Sequence, residues 1–239
     1  MYKDVSLLIP FKSDGSVRDA NFNWIRKYYN NLCPKVEICI GINTENPFNR
    51  SKAINIAAKQ ATRDIFVIVD ADIFCDPDSI IDSISYLNKY RMVIPYKNLI
   101  RISEGDTNEL VQTNPTWPLK KELTRTDHVY TEDYSGGIMI ISRSAFMRIG
   151  GFDERFVGWG GEDDAFYLAF NTICGQFKRL NHTIYHLWHQ PLGYHLNPNG
   201  TNNLKLRDIY CKAFKDKKKM KRVLSESEGI FSRSKRRSK

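Results

Sequence analysis

Residues 64–74 read DIFVIVDADIF, an apolar run that ends in two acids. Its β-branched and aromatic residues are typical of a strand that is covered on both faces, as in a parallel sheet. Such sheets bind ligands outside the carboxyl ends of their strands. The run therefore predicts one buried strand and places a binding edge at Asp70 and Asp72.

Strand-like and helix-like segments alternate on both sides of this run. VSLLIP at 5–10 and VEICIGI at 36–42 predict strands, and helical periodicity predicts a helix over 18–30 between them. EDDAFYLAFNTICG at 162–175 predicts a further helix, because its apolar residues recur on one stripe. The alternation predicts an α/β fold in which helices flank a sheet.

The net charge of +9 is concentrated at one end of the chain. Residues 205–239 hold 14 Lys and Arg against four Asp and Glu, whereas residues 1–204 hold 22 basic and 23 acidic residues. We therefore expect one domain over 1–204 and a basic, helical extension over 205–239 whose end is disordered. The partners expected of such an extension are an anionic membrane surface, an acidic polysaccharide or nucleic acid. A solvated basic helix with no partner is the alternative.

Cysteine content and hydropathy bear on the expected location. The five cysteines are odd in number and never spaced as CxxC, which argues against a disulfide framework and a zinc knuckle. No apolar run approaches the roughly 18 residues that cross a bilayer. We expect a cytoplasmic protein with no transmembrane segment, with peripheral attachment to a membrane as an open alternative.

Carboxylates and imidazoles supply a candidate metal site. In an extended strand the side chains of Asp70 and Asp72 point the same way and can bind a divalent cation, although a helix-capping or solvated acid pair is the alternative. His186 and His189 add imidazole, and the mixture suits Mn²⁺ as well as zinc, iron or cobalt. The alternative for these histidines is amphipathic packing beside Trp188.

The sequence GWGGEDD at 158–164 is unfavourable for folding if its role is only structural. Three glycines lose backbone entropy on folding, and three consecutive acids repel one another. Trp159 offers a flat apolar face on which a sugar ring can stack, and the acids stand at the start of a helix, whose dipole favours a carboxylate base. The alternative is a glycine-rich turn followed by an acidic helix start.

Residues 101–135 separate the first elements from the apolar run GGIMIIS. They lack clear periodicity and contain two prolines, which predicts a long loop. This loop lies between the acids at 70 and 72 and the GWGGEDD block. We therefore expect it to act as a lid that becomes ordered when a substrate binds.

Several motifs in a fixed order resemble a known enzyme group. They are IPFK at 9–12, FNRSKAINIA at 48–57, VIVDADIF at 67–74, GGIMIISRSAFMRIGGFDERFVGWGGEDDAF at 136–166 and HLWH at 186–189. The chain resembles the β-1,4-galactosyltransferase group of GT-A glycosyltransferases. It is also similar to bacterial chondroitin-type polymerases and, more loosely, to polypeptide N-acetylgalactosaminyltransferases. The resemblance implies the GT-A fold, a nucleotide-sugar-binding, Rossmann-like mixed sheet flanked by helices.

The resemblance also implies roles for individual residues. Asp163 matches the catalytic base of the group. The implied acceptor side consists of Trp159, Gly160, Gly161, Glu162 and Asp164. The implied donor side consists of Pro10, Phe11, Lys12, Phe48, Arg50, Asp70 and Gly137. The implied ligands of Mn²⁺ or Mg²⁺ are Asp72, His189 and His186.

The implied function is inverting, metal-dependent transfer of a sugar from a UDP-sugar to an acceptor hydroxyl on a saccharide or a lipid-linked glycan. Two alternatives stay open on the residues. In the first alternative, the acceptor is a hydroxylated base of phage DNA, which must be flipped out or single-stranded to reach Asp163. Alternatively, the chain is a nucleotide-sugar-binding module or a nucleotidyltransferase, which uses the same DxD segment and needs no acceptor base.

Overall fold

A mixed β-sheet forms the centre of the computed structural model, which describes residues 2–130, 136–190, 197–227 and 229–230. The strands are β1 (Val5–Phe11), β2 (Glu37–Ile42), β3 (Ile65–Val69), β4 (Ile73–Cys75), β5 (Met92–Ile102), β6 (Arg125–Tyr130), β7 (Ile138–Ser142) and β8 (Lys178–His186). Their order across the sheet is β2-β1-β3-β7-β5-β8-β4, and β6 pairs with β5 outside this path.

Helices cover the sheet, and two more follow the last strand. They are α1 (Val17–Leu32), α2 (Arg50–Gln60), α3 (Pro77–Ser85), α4 (Leu87–Tyr90), α5 (Glu104–Leu110), α6 (Arg143–Ile149), α7 (Glu162–Ile173), α8 (Gly200–Ala213) and α9 (Lys217–Glu226). Strands β2, β1 and β3 are parallel and are joined by α1 and α2, whereas β7 is antiparallel to β3. The predicted α/β class with a mixed sheet is confirmed.

Helix α2 lies unusually close to strand β2. A Cβ atom built at Gly41 would overlap the carbonyl oxygen of Ala53, so only glycine permits this approach. The helix begins where the Asn49 side chain accepts the Lys52 N–H at 2.8 Å. This local geometry fixes the first helical residue, Arg50, at the carboxyl edge of the parallel strands.

The run 64–74 is two strands rather than one, so that part of the prediction is wrong. Strand β3 ends at Val69, a turn contains Asp70 to Asp72, and β4 leaves to pair with β8. The turn is held by the Asp70 N–H, which donates to the Gly137 carbonyl at 2.9 Å, and by the Ile73 N–H, which donates to the Asp70 carbonyl at 3.1 Å. The two aspartates therefore stand on a turn and not on one face of a strand.

The segment 101–135 is not the long loop that its aperiodic sequence predicts. Strand β5 continues to Ile102, Ser103 caps helix α5 by accepting the Asp106 N–H, and strand β6 pairs antiparallel with β5. These elements lack a clear pattern because β6 is almost entirely exposed and α5 is short. Residues 131–135 lie outside the described residues, and the ordering of a lid stays a prediction.

The C-terminal helices pack on α7. Tyr210, Ala213, Met220 and Val223 are buried with Phe156 and with the alanines of α7. Ile209, the residue before Tyr210 in α8, is 47% exposed. The division between 1–204 and 205–239 stays a prediction, but α8 crosses it, and the predicted disordered end lies outside the described residues. None of the described helices is long and apolar enough to cross a membrane.

Candidate active site

A cavity of about 690 Å³ opens at the carboxyl edge of the parallel strands. The end of β1, the start of α2, the turn after β3 and the end of β8 surround it. Twelve of the predicted site residues line it, namely Pro10, Phe11, Lys12, Phe48, Arg50, Asp70, Asp72, Gly137, Trp159, Glu162, His186 and His189. Gly160, Gly161, Asp163 and Asp164 are not among the lining residues.

Asp72, His186 and His189 form a candidate metal centre in one wall of the cavity. The His189 Nε2 lies 3.2 Å from Asp72 Oδ2, and the His186 Nε2 lies 3.7 Å from Asp72 Oδ1. The three donor atoms all lie within 4.8 Å of one another. A carboxylate with two imidazoles is a donor set that fits Mn²⁺, so the residues fit the cation that the family resemblance implies.

Backbone contacts hold the two histidines in place. His186 is the last residue of β8, and His189 follows three residues later outside the strand. The Leu187 N–H donates to the Asp72 carbonyl at 2.9 Å, and the Asn21 side chain donates to the Trp188 carbonyl at 2.9 Å. The segment is thus fastened both to the turn that carries Asp72 and to helix α1.

Burial and mutual contacts set the charges of this centre. Burial acts to lower the pKa of His189, but its hydrogen bond to Asp72 outweighs burial and raises that pKa. Burial acts to raise the pKa of Asp72, but the nearby imidazole of His186 and the hydrogen bond from His189 outweigh it and hold that pKa well below the usual range. Burial lowers the pKa of His186, which favours the neutral ring that a metal requires. An ionised carboxylate therefore faces an imidazole whose burial favours the neutral form.

Arg50 joins the two sides of the cavity. Its Nε donates to Asp70 Oδ1 at 2.7 Å, and its Nη1 donates to Asp163 Oδ1 at 2.9 Å. The same Nη1 lies 3.8 Å from Glu162 Oε1. Asp70 therefore pairs with an arginine and lies outside the group of candidate metal ligands. Burial raises the pKa of Asp70 to about 6 although Arg50 opposes the shift.

The three acids at the start of α7 have separate environments. Glu162 is 7% exposed, and burial followed by repulsion from Asp163 raises its pKa to about 7. Asp163 is held by Arg50, as described above. Asp164 points away, because its carboxylate is about half exposed and lies 3.8 Å from Arg207 Nη1. The three acids thus divide into an inner pair, Glu162 and the predicted base Asp163, and an outer acid, Asp164.

The glycine loop, residues 157–161, carries Trp159 to the mouth of the cavity. Gly158, Gly160 and Gly161 all have positive φ angles between 74° and 109°, which other residues rarely adopt. The Trp159 side chain is 53% exposed, as a stacking platform requires. The Gly158 N–H donates to the Phe48 carbonyl at 3.0 Å, so the loop is attached to the segment just before α2.

The donor side is fixed by packing and backbone contacts. Phe11 stacks on Phe22 of α1 with ring centroids 3.9 Å apart, and the Lys12 Nζ donates to the Glu45 carbonyl at 2.9 Å. Gly137, whose φ is 85°, accepts the Asp70 N–H through its carbonyl. These contacts place the predicted donor residues without assigning their roles.

Sequence reasoning missed several residues of this site. Arg18 of α1 lines the cavity, and its Nη2 lies 2.9 Å from the His189 Nδ1. Asn197 also lines it, and Asn203 lies behind the glycine loop. The one available signal was the asparagine-rich stretch NPNGTNN at 197–203, since asparagine commonly bonds to backbone groups in loops. Nothing in the local sequence connects Arg18 with a histidine 171 positions away.

Comparison with protein families identifies the chain. The family model described as glycosyl transferase family 2 matches residues 12–150, which is more than half of the chain. The chain belongs to glycosyl transferase family 2. A second model, described as the N-terminal domain of galactosyltransferase, matches residues 124–190 and thus reaches the histidines of the metal centre.

Relatives of this family 2 chain include enzymes of known activity. It is 25% identical over 200 residues to β-1,4-galactosyltransferase 1 of Bos taurus, covering 75% of this chain and 42% of that protein. It is 28% identical over 160 residues to chondroitin sulfate N-acetylgalactosaminyltransferase 2 of Homo sapiens, covering 63% and 28%. The chain therefore spans less than half the length of either relative.

Solved structures with similar folds confirm the GT-A architecture. A Drosophila β-1,4-galactosyltransferase 7 mutant in complex with manganese, UDP-Gal and xylobiose matches with a TM-score of 0.53 at 19% identity, covering 77% of this chain and 71% of that chain. Glucosyl-3-phosphoglycerate synthase of Mycobacterium tuberculosis, with Mn²⁺ and UDP-glucose, matches with a TM-score of 0.55 at 11% identity, covering 88% and 79%. At these identities the likeness establishes the fold.

Proposed function

We propose that the chain is an inverting, metal-dependent glycosyltransferase that moves a sugar from a UDP-sugar to a hydroxyl of a saccharide or lipid-linked glycan. One observation carries the proposal. Arg50 lines the cavity that holds the candidate metal centre and binds both Asp70 on the donor side and Asp163 at the start of α7. Arg50 would thus connect the proposed donor site to the proposed carboxylate base.

The donor is held by both walls of the cavity. Phe11 and Phe48 offer apolar surface to a uracil ring, and Asp70 lies where a ribose hydroxyl can donate to it. Asp72, His186 and His189 would hold Mn²⁺ or Mg²⁺, which supplies neutralisation of the charge that develops on the leaving diphosphate.

The acceptor reacts on the opposite side of the sugar. Asp163 takes the proton of the acceptor hydroxyl while the acceptor oxygen forms a bond to the anomeric carbon. The bond between that carbon and the UDP oxygen breaks, and UDP leaves with the electron pair. Because attack and departure take place on opposite faces, an α-linked donor gives a β-linked product. Trp159 provides the platform on which an acceptor sugar stacks.

The relatives and structural neighbours support this assignment. Two neighbours bind manganese together with a UDP-sugar, and one of them also binds the disaccharide xylobiose. The bovine and human relatives are named as a galactosyltransferase and an N-acetylgalactosaminyltransferase. These names favour UDP-galactose and UDP-N-acetylgalactosamine as the first donors to test, with UDP-glucose as the third.

A donor panel tests the proposed function. The purified chain is incubated with Mn²⁺ and each UDP-sugar, with and without xylobiose or N-acetylglucosamine, and UDP release is measured. We expect metal-dependent release from at least one donor, and Asp163→Asn to lower acceptor transfer by about 10²–10⁴-fold while UDP binding persists. Asp208→Asn, the same change at an exposed position of α8, serves as the control. UDP binding without turnover in the unaltered protein would instead favour a nucleotide-sugar-binding module.

The basic C-terminal helices favour an additional, anionic partner. Lys217, Lys218, Lys219, Lys221 and Arg222 of α9 are all exposed. We propose that this face holds the chain peripherally at an anionic membrane that presents a lipid-linked acceptor. Binding to phosphatidylglycerol vesicles should weaken as salt rises and should fall when Lys217, Lys218 and Lys219 are replaced by glutamine. Binding to single-stranded DNA without binding to vesicles would favour the nucleic-acid alternative.

A further inference from the structure

Helix α8 contacts the glycine loop along several of its turns. The Asn203 Nδ2 donates to the Val157 carbonyl at 3.1 Å, and the Asn203 Oδ1 accepts the Val157 N–H at 3.4 Å. One amide side chain therefore pairs with both backbone groups of a single loop residue. Asn203 is 2% exposed and does not line the cavity, so this pairing is its main contact with the site.

Neighbouring residues strengthen the same attachment. Just before α8, the Asn197 Nδ2 donates to the Trp159 carbonyl at 2.7 Å. A Cβ atom built at Gly161 would lie 3.5 Å from both the Asn203 carbonyl oxygen and the Arg207 side chain, so the helix and the loop are in contact. Farther along α8, the Tyr210 hydroxyl donates to Asp153 at 2.9 Å, just before the loop.

A loop with three glycines cannot fix its own shape. Glycine has no side chain to pack and many accessible backbone conformations, so the positions of Trp159 and of the following acids must be set from outside the loop. Phe48 fixes one side of the loop through the Gly158 N–H, and α8 fixes the other. Helix α8, at the start of the basic C-terminal region, therefore packs against the proposed acceptor side.

We propose that α8 shapes the acceptor side and that Asn203 is a positioning residue for it. The inference rests on the proposed function, which defines that side. Loss of both Asn203 hydrogen bonds should let the glycine loop move and raise the KM for an acceptor by about tenfold. The proposed donor residues stand at the end of β1, the start of α2, the turn after β3 and the end of β8. The Asn203 side chain bonds to Val157 instead, so hydrolysis of the donor by water should change less than twofold.

Asn203→Ala is compared with Asn202→Ala, the same change at the exposed neighbouring position. Hydrogen exchange of a peptide covering residues 155–162 should quicken in the first variant only. With UDP-galactose as donor and xylobiose or N-acetylglucosamine as acceptor probe, acceptor KM should rise in the first variant only. Asn203→Ser is used for both measurements if the alanine variant does not fold.

The outcomes separate this inference from the proposed function. Equal exchange in the two alanine variants, or unchanged acceptor KM in Asn203→Ala, overturns the role of Asn203. A parallel loss of donor hydrolysis and acceptor transfer also overturns it, because a general structural role would produce that result. If the unaltered protein turns over no UDP-sugar, the proposed function fails, and the exchange measurement still decides whether α8 holds the loop.

Discussion

His189 and His186 face the carboxylate of Asp72, and each would offer one nitrogen to a cation bound there. Removing a ligand from a three-ligand centre should weaken cation binding strongly. We expect His189→Ala and His186→Ala each to lower Mn²⁺ affinity by more than about tenfold, as measured by calorimetry on the complete chain. His182→Ala is the matched control, because His182 lies in the same strand and contacts Asp82 outside the cavity.

The two variants also distinguish a ligand from a packing residue. If His186→Ala keeps both Mn²⁺ affinity and turnover while His189→Ala loses both, His186 only packs beside the centre. If neither variant differs from His182→Ala, the cluster is a hydrogen-bonded group that does not bind a cation, and the proposed metal dependence is wrong.

Glu162 makes the stability of the folded chain depend on pH. Its pKa is raised from an ordinary value of 4.5 to about 7, because burial and the charge of Asp163 disfavour the ionised form. Between these values the folded chain holds the proton more tightly than the unfolded chain does. The contribution of Glu162 to the free energy of unfolding therefore falls as pH rises through this window, and it is fully lost above the window.

Glu162→Gln removes this contribution. We expect the variant to lose less stability than the unaltered chain between about pH 4.5 and pH 7, by on the order of 1–3 kcal/mol. Urea unfolding of both chains at the two ends of the window, in the presence of a chelator, measures the difference. Parallel stability curves would mean that Glu162 is already ionised at the low end.

At the residue scale, residue types indicated a cation site without deciding against the alternatives. Carboxylate and imidazole together suit a divalent cation, but the choice of Asp72 with His186 and His189 came from the family resemblance. The structure brings these three side chains within 4.8 Å of one another. Asp70 was expected beside Asp72, but the turn after β3 directs it to Arg50 instead. Such a pairing depends on where the chain turns, which local sequence does not specify.

At the scale of elements, the contact between β2 and α2 governs the placement of Arg50. Gly41→Ala would force a methyl group into the carbonyl oxygen of Ala53, so we expect a loss of more than about 2 kcal/mol in the free energy of unfolding. Gly105→Ala is the control, because a Cβ atom there meets no atom within 4 Å. That variant should be neutral or stabilised by up to about 1 kcal/mol.

Urea unfolding measures both glycine variants, and the UDP affinity of Gly41→Ala reports on the site. If Gly41→Ala is as stable as Gly105→Ala, the helix moves to accept the methyl group without cost. Arg50 is then not held by this contact, and the close approach of α2 to β2 does not position the site.

The elements themselves were predictable where burial leaves an apolar run or an apolar stripe in the sequence. Strand β1 is buried along almost its whole length, β2 is partly buried, and helices α1 and α7 each bury one face. The sequence pattern found all four. Strand β6 and helix α5 were missed, because an exposed strand and a short helix have little apolar periodicity to detect. The separation of β3 from β4 follows from pairing with β8, a long-range contact.

At the scale of the whole molecule, charge is divided between a balanced domain and a basic end, yet the basic region is not separate from the site. Helix α8 supplies Asn203 to the glycine loop, and α9 packs against α7. The contrast in charge suggests two units, whereas the buried contacts of Tyr210 and Met220 join them. Sequence composition shows the contrast in charge but does not show the buried contacts.

Under the proposed function, Asp72 and the two histidines would hold a cation whose charge would strengthen binding of the UDP diphosphate. Calorimetric titration of UDP into the complete chain, once with Mn²⁺ and once with excess chelator, tests it directly. We predict that the Kd for UDP is at least about tenfold lower with Mn²⁺, which corresponds to about 1.4 kcal/mol. Equal affinity under the two conditions would contradict the account.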